Sequence, residues 1–391
     1  MDLSQRVSRI KPSPTLAVTA KAAELKAQGV DVMSLGAGEP DFDTPAHIKE
    51  AAHQAIRDGF TKYTAVGGIP GLKAAIAAKM KRDNALDYKP NQIVASTGGK
   101  QACYNLCQAL LNDGDESIIP APYWVSYPDM VLLAGGTPVF IPTTAATRFK
   151  ITPEQLERAI TRRTRLFWIN SPSNPSGMAY THAELRALGD VLRKHPQVVI
   201  ATDDMYEKIL WTPEPFANVI NLCPDLHERT VVIHAASKTY SMTGWRLGWA
   251  CGPAKLIAAM TDIQSQSTSN PNSIAQVAVE AALNGDQSCV AEMVKAFKGR
   301  HDRLVAGLNG IPGVKCVPGD GTFYAFPNVE GLMEKLGCKD DLALADVLLN
   351  KGRVAVVPGS AFGTPGYLRL SFATSDKVLA ESVARIKALA G

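Results

Sequence analysis

Residues 230–238 read Thr-Val-Val-Ile-His-Ala-Ala-Ser-Lys, an apolar run that ends in two polar side chains. The run predicts a buried strand because it shows no regular alternation of apolar and polar residues. Open α/β sheets bind ligands at the carboxyl ends of their strands. Lys238 is therefore a candidate covalent anchor, whereas an isolated lysine is ordinarily a solvated surface residue.

Similar apolar segments alternate with amphipathic helices over the first two thirds of the chain. Such alternation predicts an α/β fold with a mostly parallel sheet sandwiched by helices. The other strands are predicted at 93–96, 117–120, 138–141, 166–169 and 198–201, and helices at 124–133, at 184–193 and from about Lys100.

The last part of the chain has a different pattern, which predicts a smaller α+β domain. Long helical segments follow residue 284, then strands at 321–326 and 367–372, and a closing helix with Leu379 and Ile386 on one face. The N-terminal region predicts a helix at 15–29 and a strand at 30–35. We expect a large domain at 45–298 and a small domain formed by 1–44 and 299–391.

Composition excludes several classes of protein. The 391 residues include 41 basic and 37 acidic side chains, without the basic block typical of nucleic-acid binding. No apolar run reaches membrane-spanning length, and no apolar segment of a secretory signal follows the N-terminal arginines. The seven cysteines are scattered without a C-x-x-C pair, which favours reduced thiols in the cytoplasm and disfavours a metal site.

Polar residues follow several predicted strands, and we expect them to converge on Lys238. Gly98-Gly99-Lys100 opens a helix, where free N–H groups and the helix dipole favour an anion. The positive charge of Lys100 is unfavourable in this first helical turn, with an interaction free energy of about 0.3–1 kcal/mol, unless an anion binds nearby. A simple helix cap with an exposed lysine is the alternative.

Asn174 lies in a rigid loop before Pro175, and a cis peptide bond is allowed there. Asp203 and Tyr206 lie in the segment that directly follows the 198–201 strand, although a pair of surface aspartates at 203–204 would give the same pattern.

Five segments then carry a resemblance that covers nearly the whole chain. They resemble, in order and spacing, the class I (fold type I) pyridoxal-phosphate aminotransferases, and most closely the bacterial aspartate aminotransferase subgroup, some members of which also act on prephenate. The resemblance implies amino transfer between aspartate and 2-oxoglutarate through a ping-pong cycle of pyridoxal and pyridoxamine 5′-phosphate. The segments are 37–42, 174–177, 203–206, 237–246 and 369–371.

The resemblance also implies how the cofactor is held. Lys238 would bind it covalently and move the proton at the substrate Cα, while Asp203 would pair with the pyridine nitrogen. Asn174 and Tyr206 would donate to the phenolic oxygen, and Trp124 would stack on the ring, although a core tryptophan is the alternative. The phosphate would bind Gly99, Lys100, Ser237, Arg246 and Tyr63, the last from the second subunit of a homodimer. Ala235 stands where many relatives have a further phosphate-binding serine.

Substrate binding follows from the same resemblance. Arg369 would bind the α-carboxylate, with Gly38, Asn174 and Trp124 nearby. The arginine that animal-type enzymes place in the segment corresponding to 264–273 is missing, since no Arg or Lys occurs between Lys255 and Lys295. Lys100 would instead contact the distal carboxylate, covered by a lid that contains Lys11 and Thr15. The predicted amino-acid substrate is therefore acidic, and prephenate fits the same charges.

Other functions remain open on the sequence alone. Within the fold type I enzymes, an aromatic or alanine aminotransferase, a β-lyase, a decarboxylase or a cyclopropane-carboxylate synthase would use the same cofactor site. A non-catalytic regulator would need a DNA-binding region before the family motifs, which begin within the first forty or so residues. A dehydrogenase would need a three-glycine fingerprint, and Gly36 and Gly38 do not form one.

Overall fold

The structure is a computed structural model that describes residues 1–12 and 14–391. The strands are β1 (Met33–Ser34), β2 (Ile93–Ser96), β3 (Glu116–Ala121), β4 (Thr137–Pro142), β5 (Thr164–Asn170), β6 (Val199–Asp203), β7 (Thr230–Ala235), β8 (Gly248–Cys251), β9 (Tyr324–Ala325), β10 (Val354–Ala355), β11 (Val357–Pro358) and β12 (Leu368–Ser371). The α-helices are α1 (Gln5–Ser8), α2 (Pro14–Ala27), α3 (Ala46–Arg57), α4 (Pro70–Asn84), α5 (Gly99–Leu110), α6 (Ser126–Leu133), α7 (Pro153–Ala159), α8 (His182–Arg193), α9 (Val219–Leu222), α10 (Ala236–Thr239), α11 (Ala254–Ser265), α12 (Ser273–Asn284), α13 (Ser288–Asn309), α14 (Glu330–Lys335), α15 (Asp341–Asn350) and α16 (Asp376–Ala390). No helix in the described ranges is long and apolar enough to cross a membrane.

A seven-stranded sheet forms the centre of the molecule, in the order β2-β8-β7-β6-β5-β3-β4. Strands β3 to β7 pair in parallel, and β8 runs antiparallel to both β7 and β2. Val232 packs in one core cluster, while Val231 and Ile233 pack in another, so helices cover both faces of the sheet. The predicted mostly parallel sheet between helices is confirmed.

Strand β8 was not among the predicted strands. Its four residues, Gly248–Cys251, are fully buried, but they follow a connection that contains just the one-turn helix α10. A parallel return usually runs through a full crossover helix, which this connection lacks, and the chain reverses direction instead.

Helix α8 shows how local sequence sets the element boundaries. The Thr181 hydroxyl accepts the Glu184 N–H at 3.2 Å, and the Glu184 carboxylate accepts the Thr181 N–H at 2.8 Å. This reciprocal capping satisfies two N–H groups that the first helical turn leaves without partners. Leu185, Leu188 and Leu192 then face the core at helical spacing.

The two smaller sheets combine strands of the C-terminal part of the chain with the N-terminal strand β1. β11, β12 and β9 pair antiparallel in that order, and β1 joins β10 in parallel. The predicted strand at 321–326 is wrong over most of its length, because Thr322 adopts a φ of 66° that interrupts the extended backbone. The strand predicted at 30–35 is likewise reduced to Met33–Ser34.

Candidate active site

A pocket of about 410 Å³ opens at the carboxyl ends of the parallel strands. It gathers twelve of the fourteen residues that the sequence singled out, from strand ends that are far apart in the chain. The predicted residues that line it are Thr15, Gly38, Gly99, Lys100, Trp124, Asn174, Asp203, Tyr206, Ser237, Lys238, Arg246 and Arg369.

Lys238 lies in α10, directly after the end of β7, and its side chain is half-buried. Its amine donates a hydrogen bond to the Gly38 carbonyl and lies 5.9 Å from the centre of the Phe323 ring. Burial lowers the pKa of Lys238 to about 8, and the positive charges of Arg369 and Arg246 act in the same direction. A much larger share of neutral amine is therefore present near neutral pH than for an ordinary lysine.

Asp203 is a buried carboxylate at the end of β6. The Tyr127 hydroxyl donates to Oδ2 at 2.5 Å, and the Met205 N–H donates to Oδ1 at 3.4 Å. Burial raises the pKa of Asp203 to about 6, while these two donors and the Lys238 charge oppose the increase. Both of these hydrogen-bond donors are neutral groups, which favours a cationic N–H group as a further ligand of this carboxylate.

The start of α5 forms a cradle suited to an anion. Gly98 has a φ of 79°, and a Cβ there would lie 2.5 Å from Arg246 Nη2, so glycine is required for this close approach. The Arg246 guanidinium donates to the Thr243 carbonyl at 2.9 Å. Ser237 is buried in the same wall of the pocket. Helix N–H groups, a hydroxyl and a guanidinium together match the oxygens of a phosphate.

Arg369 lies on β12 and is 2% exposed. Its Nη1 donates to Asn174 Oδ1 at 3.1 Å and its Nη2 donates to the Gly36 carbonyl at 2.8 Å. Nε has no hydrogen-bond partner among the described residues, and no ion pair with a carboxylate is found for this guanidinium within them. Burial lowers the pKa of Arg369. A buried guanidinium with these features favours a carboxylate ligand.

A second cation lies at the mouth of the pocket. Lys100 Nζ is 5.1 Å from the centre of the Trp124 ring. Lys11 does not line the pocket. Burial raises the pKa of the Asp129 carboxyl, and the charges of Lys11 and Lys100 oppose that increase, so both lysines lie near Asp129. Thr15 and Thr19, both on α2, line the opening, and Ser13 of the predicted lid lies outside the described residues.

A buried charged network lies behind the strand ends. Glu207 forms an ion pair with Lys79 and accepts a hydrogen bond from His234 Nε2 at 3.2 Å. His234 Nδ1 accepts the Ala235 N–H at 3.1 Å, so its proton is on Nε2. Although burial opposes ionisation, His234 and Lys79 hold the pKa of Glu207 well below its ordinary value. This network fixes the chain just before Ser237.

Comparison with known proteins identifies the family. A family model described as "Aminotransferase class I and II" matches residues 30–386. The chain belongs to this family. The sequence of this aminotransferase is 60% identical to the aspartate/prephenate aminotransferase of Nitrosomonas europaea, covering 100% of both chains, and 50% identical to the aspartate aminotransferase of Bacillus subtilis, covering 99% and 98%.

Solved structures give the same result. The aminotransferase is similar to the aspartate aminotransferase from Rhizobium meliloti, with a TM-score of 0.96 and 46% identity over 100% of this chain and 99% of the other. It is also similar to the Thermus thermophilus aspartate aminotransferase with maleate, with a TM-score of 0.94 and 42% identity over 100% of both. The predicted family, fold class and type of enzyme are confirmed.

Several residues of the site were missed from the sequence. Tyr127 and Tyr324 are buried aromatic side chains, and Glu39 and Thr19 line the pocket without belonging to the predicted set. Tyr127 lies three positions after Trp124, a spacing that would place both on one side of the helix predicted at 124–133. Tyr63 does not line this pocket and is 91% exposed, so its predicted role stays a prediction.

Proposed function

We propose that the protein is an aspartate aminotransferase that uses pyridoxal 5′-phosphate to exchange amino groups between aspartate and 2-oxoglutarate, with prephenate as a further acceptor. The observation that supports this most directly is the position of Lys238 in one pocket with Arg369 and Lys100, in addition to the Arg246 guanidinium of the phosphate cradle. Two separated cations suit a dicarboxylate, and a lysine of lowered pKa suits reaction with a carbonyl group. The relatives that carry these names support the same choice.

The residues around Lys238 fit the cofactor. Asp203 suits the protonated pyridine nitrogen because it is buried and accepts hydrogen bonds from neutral donors. The Gly98 cradle with Gly99, Lys100, Ser237 and Arg246 suits the phosphate. When bound, pyridoxal phosphate supplies an electrophilic carbonyl and a ring that accepts electron density from the substrate Cα.

Each residue then has a distinct task. Lys238 holds the cofactor and, when released, moves the proton at the substrate Cα. Asp203 keeps the pyridine nitrogen protonated, and Trp124 excludes water from one face of the ring. Asn174 and Tyr206 donate hydrogen bonds to the phenolic oxygen. Arg369, beside Gly38, binds the substrate α-carboxylate and orients its Cα toward Lys238.

The distal carboxylate is assigned to Lys100. This lysine lies over Trp124 at the mouth of the pocket, close to Lys11 and to the threonines at the start of α2. A cation there favours aspartate, glutamate and the second carboxylate of prephenate over neutral side chains. Aromatic or alanine aminotransferase activity and β-lyase activity would not require it.

We also propose a homodimer with shared sites. Ile56, Phe60 and Tyr63 are 53%, 38% and 91% exposed, and they lie close together in sequence around the end of α3. Such neighbouring apolar side chains favour burial by another chain. Tyr63 would then reach the phosphate in the site of the second subunit.

Two domains are proposed, at 45–298 and at 1–44 with 299–391. One core cluster contains residues from Ile48 to Val290, and a second joins Leu35 to side chains between Met293 and Ala390, with Tyr206 and Ile209 contributed by the large domain. Helix α13 is continuous across the proposed boundary, and its Met293 and Phe297 pack in the second core. The domains would therefore meet along α13.

A cytoplasmic location is proposed as well. All seven cysteines are free, and five of them are buried. Proteins of oxidising compartments more often use their cysteines in disulfides. The thiols therefore support a reducing compartment.

A substrate panel combined with Lys100→Ala tests the proposed specificity. With 2-oxoglutarate as acceptor, we expect the wild-type protein to prefer aspartate to alanine and tyrosine, and to use prephenate as acceptor with glutamate as donor. Lys100→Ala should raise KM for aspartate by about 10–100-fold, because one charge-assisted hydrogen bond is lost. KM for alanine should change little.

The matched control is Lys295→Ala, which removes an exposed lysine with no ion pair among the described residues. It should leave both KM values unchanged. Equal increases for aspartate and alanine in Lys100→Ala would contradict the distal-carboxylate role of Lys100.

A further inference from the structure

Tyr324 contacts both functional halves of the pocket. Its hydroxyl lies 3.1 Å from the Tyr206 hydroxyl, and the Arg369 guanidinium carbon lies 4.4 Å from the centre of its ring. The side chain is 1% exposed. Tyr206 follows β6 of the central sheet, whereas Tyr324 and Arg369 belong to the small antiparallel sheet. The tyrosine pair therefore connects the two sheets across the site.

The position of Tyr324 is fixed from several sides. β9 pairs with β12 in the register Tyr324↔Ser371, which sets the Tyr324 ring beside Arg369. The Tyr206 and Tyr324 rings meet edge to face, with centres 5.9 Å apart at 77°. A Cβ on Gly38 would lie 3.2 Å from the Tyr324 hydroxyl, so the backbone also packs closely against it. These constraints hold the hydroxyl in place toward Tyr206.

Both hydroxyls respond to the charge of Arg369. Burial raises the pKa of Tyr324 and raises that of Tyr206 well above its ordinary value, and the Arg369 charge opposes the increase at both. Glu39 acts on Tyr324 in the opposite direction. A cation over the ring makes the Tyr324 hydroxyl a stronger hydrogen-bond donor. A carboxylate bound to Arg369 would cancel much of that effect.

The direction of the hydrogen bond follows from the proposed function. If the Tyr206 hydroxyl donates its hydrogen bond to the phenolic oxygen of the cofactor, the Tyr206 oxygen can accept a hydrogen bond from the Tyr324 hydroxyl. A donor to Tyr206 strengthens the bond that Tyr206 itself makes, because hydrogen bonds in a chain polarise one another. The charge of Arg369 therefore acts through the Tyr324 hydroxyl and then the Tyr206 hydroxyl on the cofactor. We call these three side chains the relay.

We infer that Tyr324 is a positioning residue that couples occupation of the carboxylate site at Arg369 to the hydrogen bond from Tyr206 to the cofactor. This inference rests on the proposed function. Binding of a substrate carboxylate weakens the donation from Tyr324, and with it the donation from Tyr206. The titration midpoint of a cofactor bound at Lys238 would then rise. Binding of the substrate carboxylate would thereby favour the protonated form of the cofactor, which is the form that reacts.

A second route between the same groups passes through Asn174, whose Oδ1 accepts from Arg369 Nη1 at 3.1 Å. This route does not involve Tyr324 and is intact when the Tyr324 hydroxyl is removed. Loss of that hydroxyl should therefore reduce the coupling without abolishing it.

The test is a pH titration of the visible absorbance of the loaded protein, with and without saturating maleate, a dicarboxylate that has no amino group to transfer. In the wild-type protein we expect maleate to raise the titration midpoint. In Tyr324→Phe, which retains the ring beside Arg369, that increase should be smaller by roughly 0.5–1 pH unit, as expected for loss of one hydrogen bond in the relay. By linkage, the affinity for maleate should also depend less on pH.

Tyr88→Phe is the matched control, because the buried Tyr88 hydroxyl has no hydrogen-bond partner among the described residues. It should retain the full wild-type increase. Tyr206→Phe should reduce the increase as Tyr324→Phe does, and the double variant should show no further reduction. Tyr206→Phe also keeps the test decisive if Tyr324→Phe does not fold.

The outcomes separate this inference from the proposed function. A wild-type protein that acquires no visible absorbance with pyridoxal phosphate would contradict the proposed function. A wild-type midpoint that maleate raises, together with an equal increase in Tyr324→Phe, would overturn the coupling role and leave the proposed function standing. If the Tyr324→Phe protein does not fold, the Tyr206→Phe protein serves instead. A maleate-induced increase in its titration midpoint as large as that of the wild type would also overturn the coupling role.

Discussion

Lys238→Ala is expected to abolish both the visible absorbance of the loaded protein and the transamination activity. The amine is the nucleophile in the pocket whose pKa is lowered to about 8, and it lies beside Gly38 and Phe323. Loss of the group that we propose moves the proton at Cα should lower kcat by about 10⁴-fold. Absorbance spectra and steady-state rates with aspartate and 2-oxoglutarate measure the two effects.

The control for this change is Lys100→Ala, since Lys100 is the other lysine that lines the pocket. It should retain the visible absorbance, because its proposed contacts are to the substrate through the side chain and to the phosphate through the backbone. Covalently bound cofactor in Lys238→Ala, or loss of the absorbance in Lys100→Ala instead, would mean that Lys238 is not the anchor.

Arg369→Lys should lower kcat/KM by about 10²–10³-fold for every amino-acid donor, because the ammonium group cannot replace two parallel hydrogen bonds to a carboxylate. The guanidinium is buried, and Asn174 and Gly36 hold it in one orientation. A lysine at this position would leave these acceptors without a donor. Aspartate and alanine should be affected alike, since both present the same α-carboxylate.

Arg385→Lys is the matched control, because Arg385 forms its ion pairs with Asp31 and Glu381 on the surface. It should leave kcat/KM unchanged, as expected for exposed ion pairs. If Arg369→Lys affected aspartate but not alanine, Arg369 would bind the distal carboxylate and the proposed orientation of the substrate would be reversed.

Site residues could be predicted from the sequence where a residue type stood out from its local pattern. Lys238 after an apolar strand, Asp203 at the next strand end and the glycines before Lys100 could each be recognised from local pattern, and the family resemblance joined them. Arg369 depended on the resemblance alone, because an arginine on an apolar strand has no local signature of a buried ligand site.

Other features depended on contacts that no local pattern contains. Tyr127 and Tyr324 resemble ordinary core aromatics, and their importance follows from hydroxyl contacts with residues distant in sequence. Strand β8 is short, and its direction follows from the connection before it. The break at Thr322 is a left-handed backbone conformation that residue type did not predict. Tyr63 does not line the pocket of its own chain, and its proposed contact with the phosphate depends on a second chain.

The most direct test of the central claim is a single half-reaction. Protein loaded with pyridoxal phosphate is mixed with excess aspartate in the absence of any oxo acid, and the products are quantified. We predict one equivalent of oxaloacetate per subunit, with loss of the visible absorbance and formation of pyridoxamine phosphate; 2-oxoglutarate should then restore the absorbance and yield glutamate. Persistence of the original absorbance, or release of carbon dioxide or ammonia instead of oxaloacetate, would contradict the account.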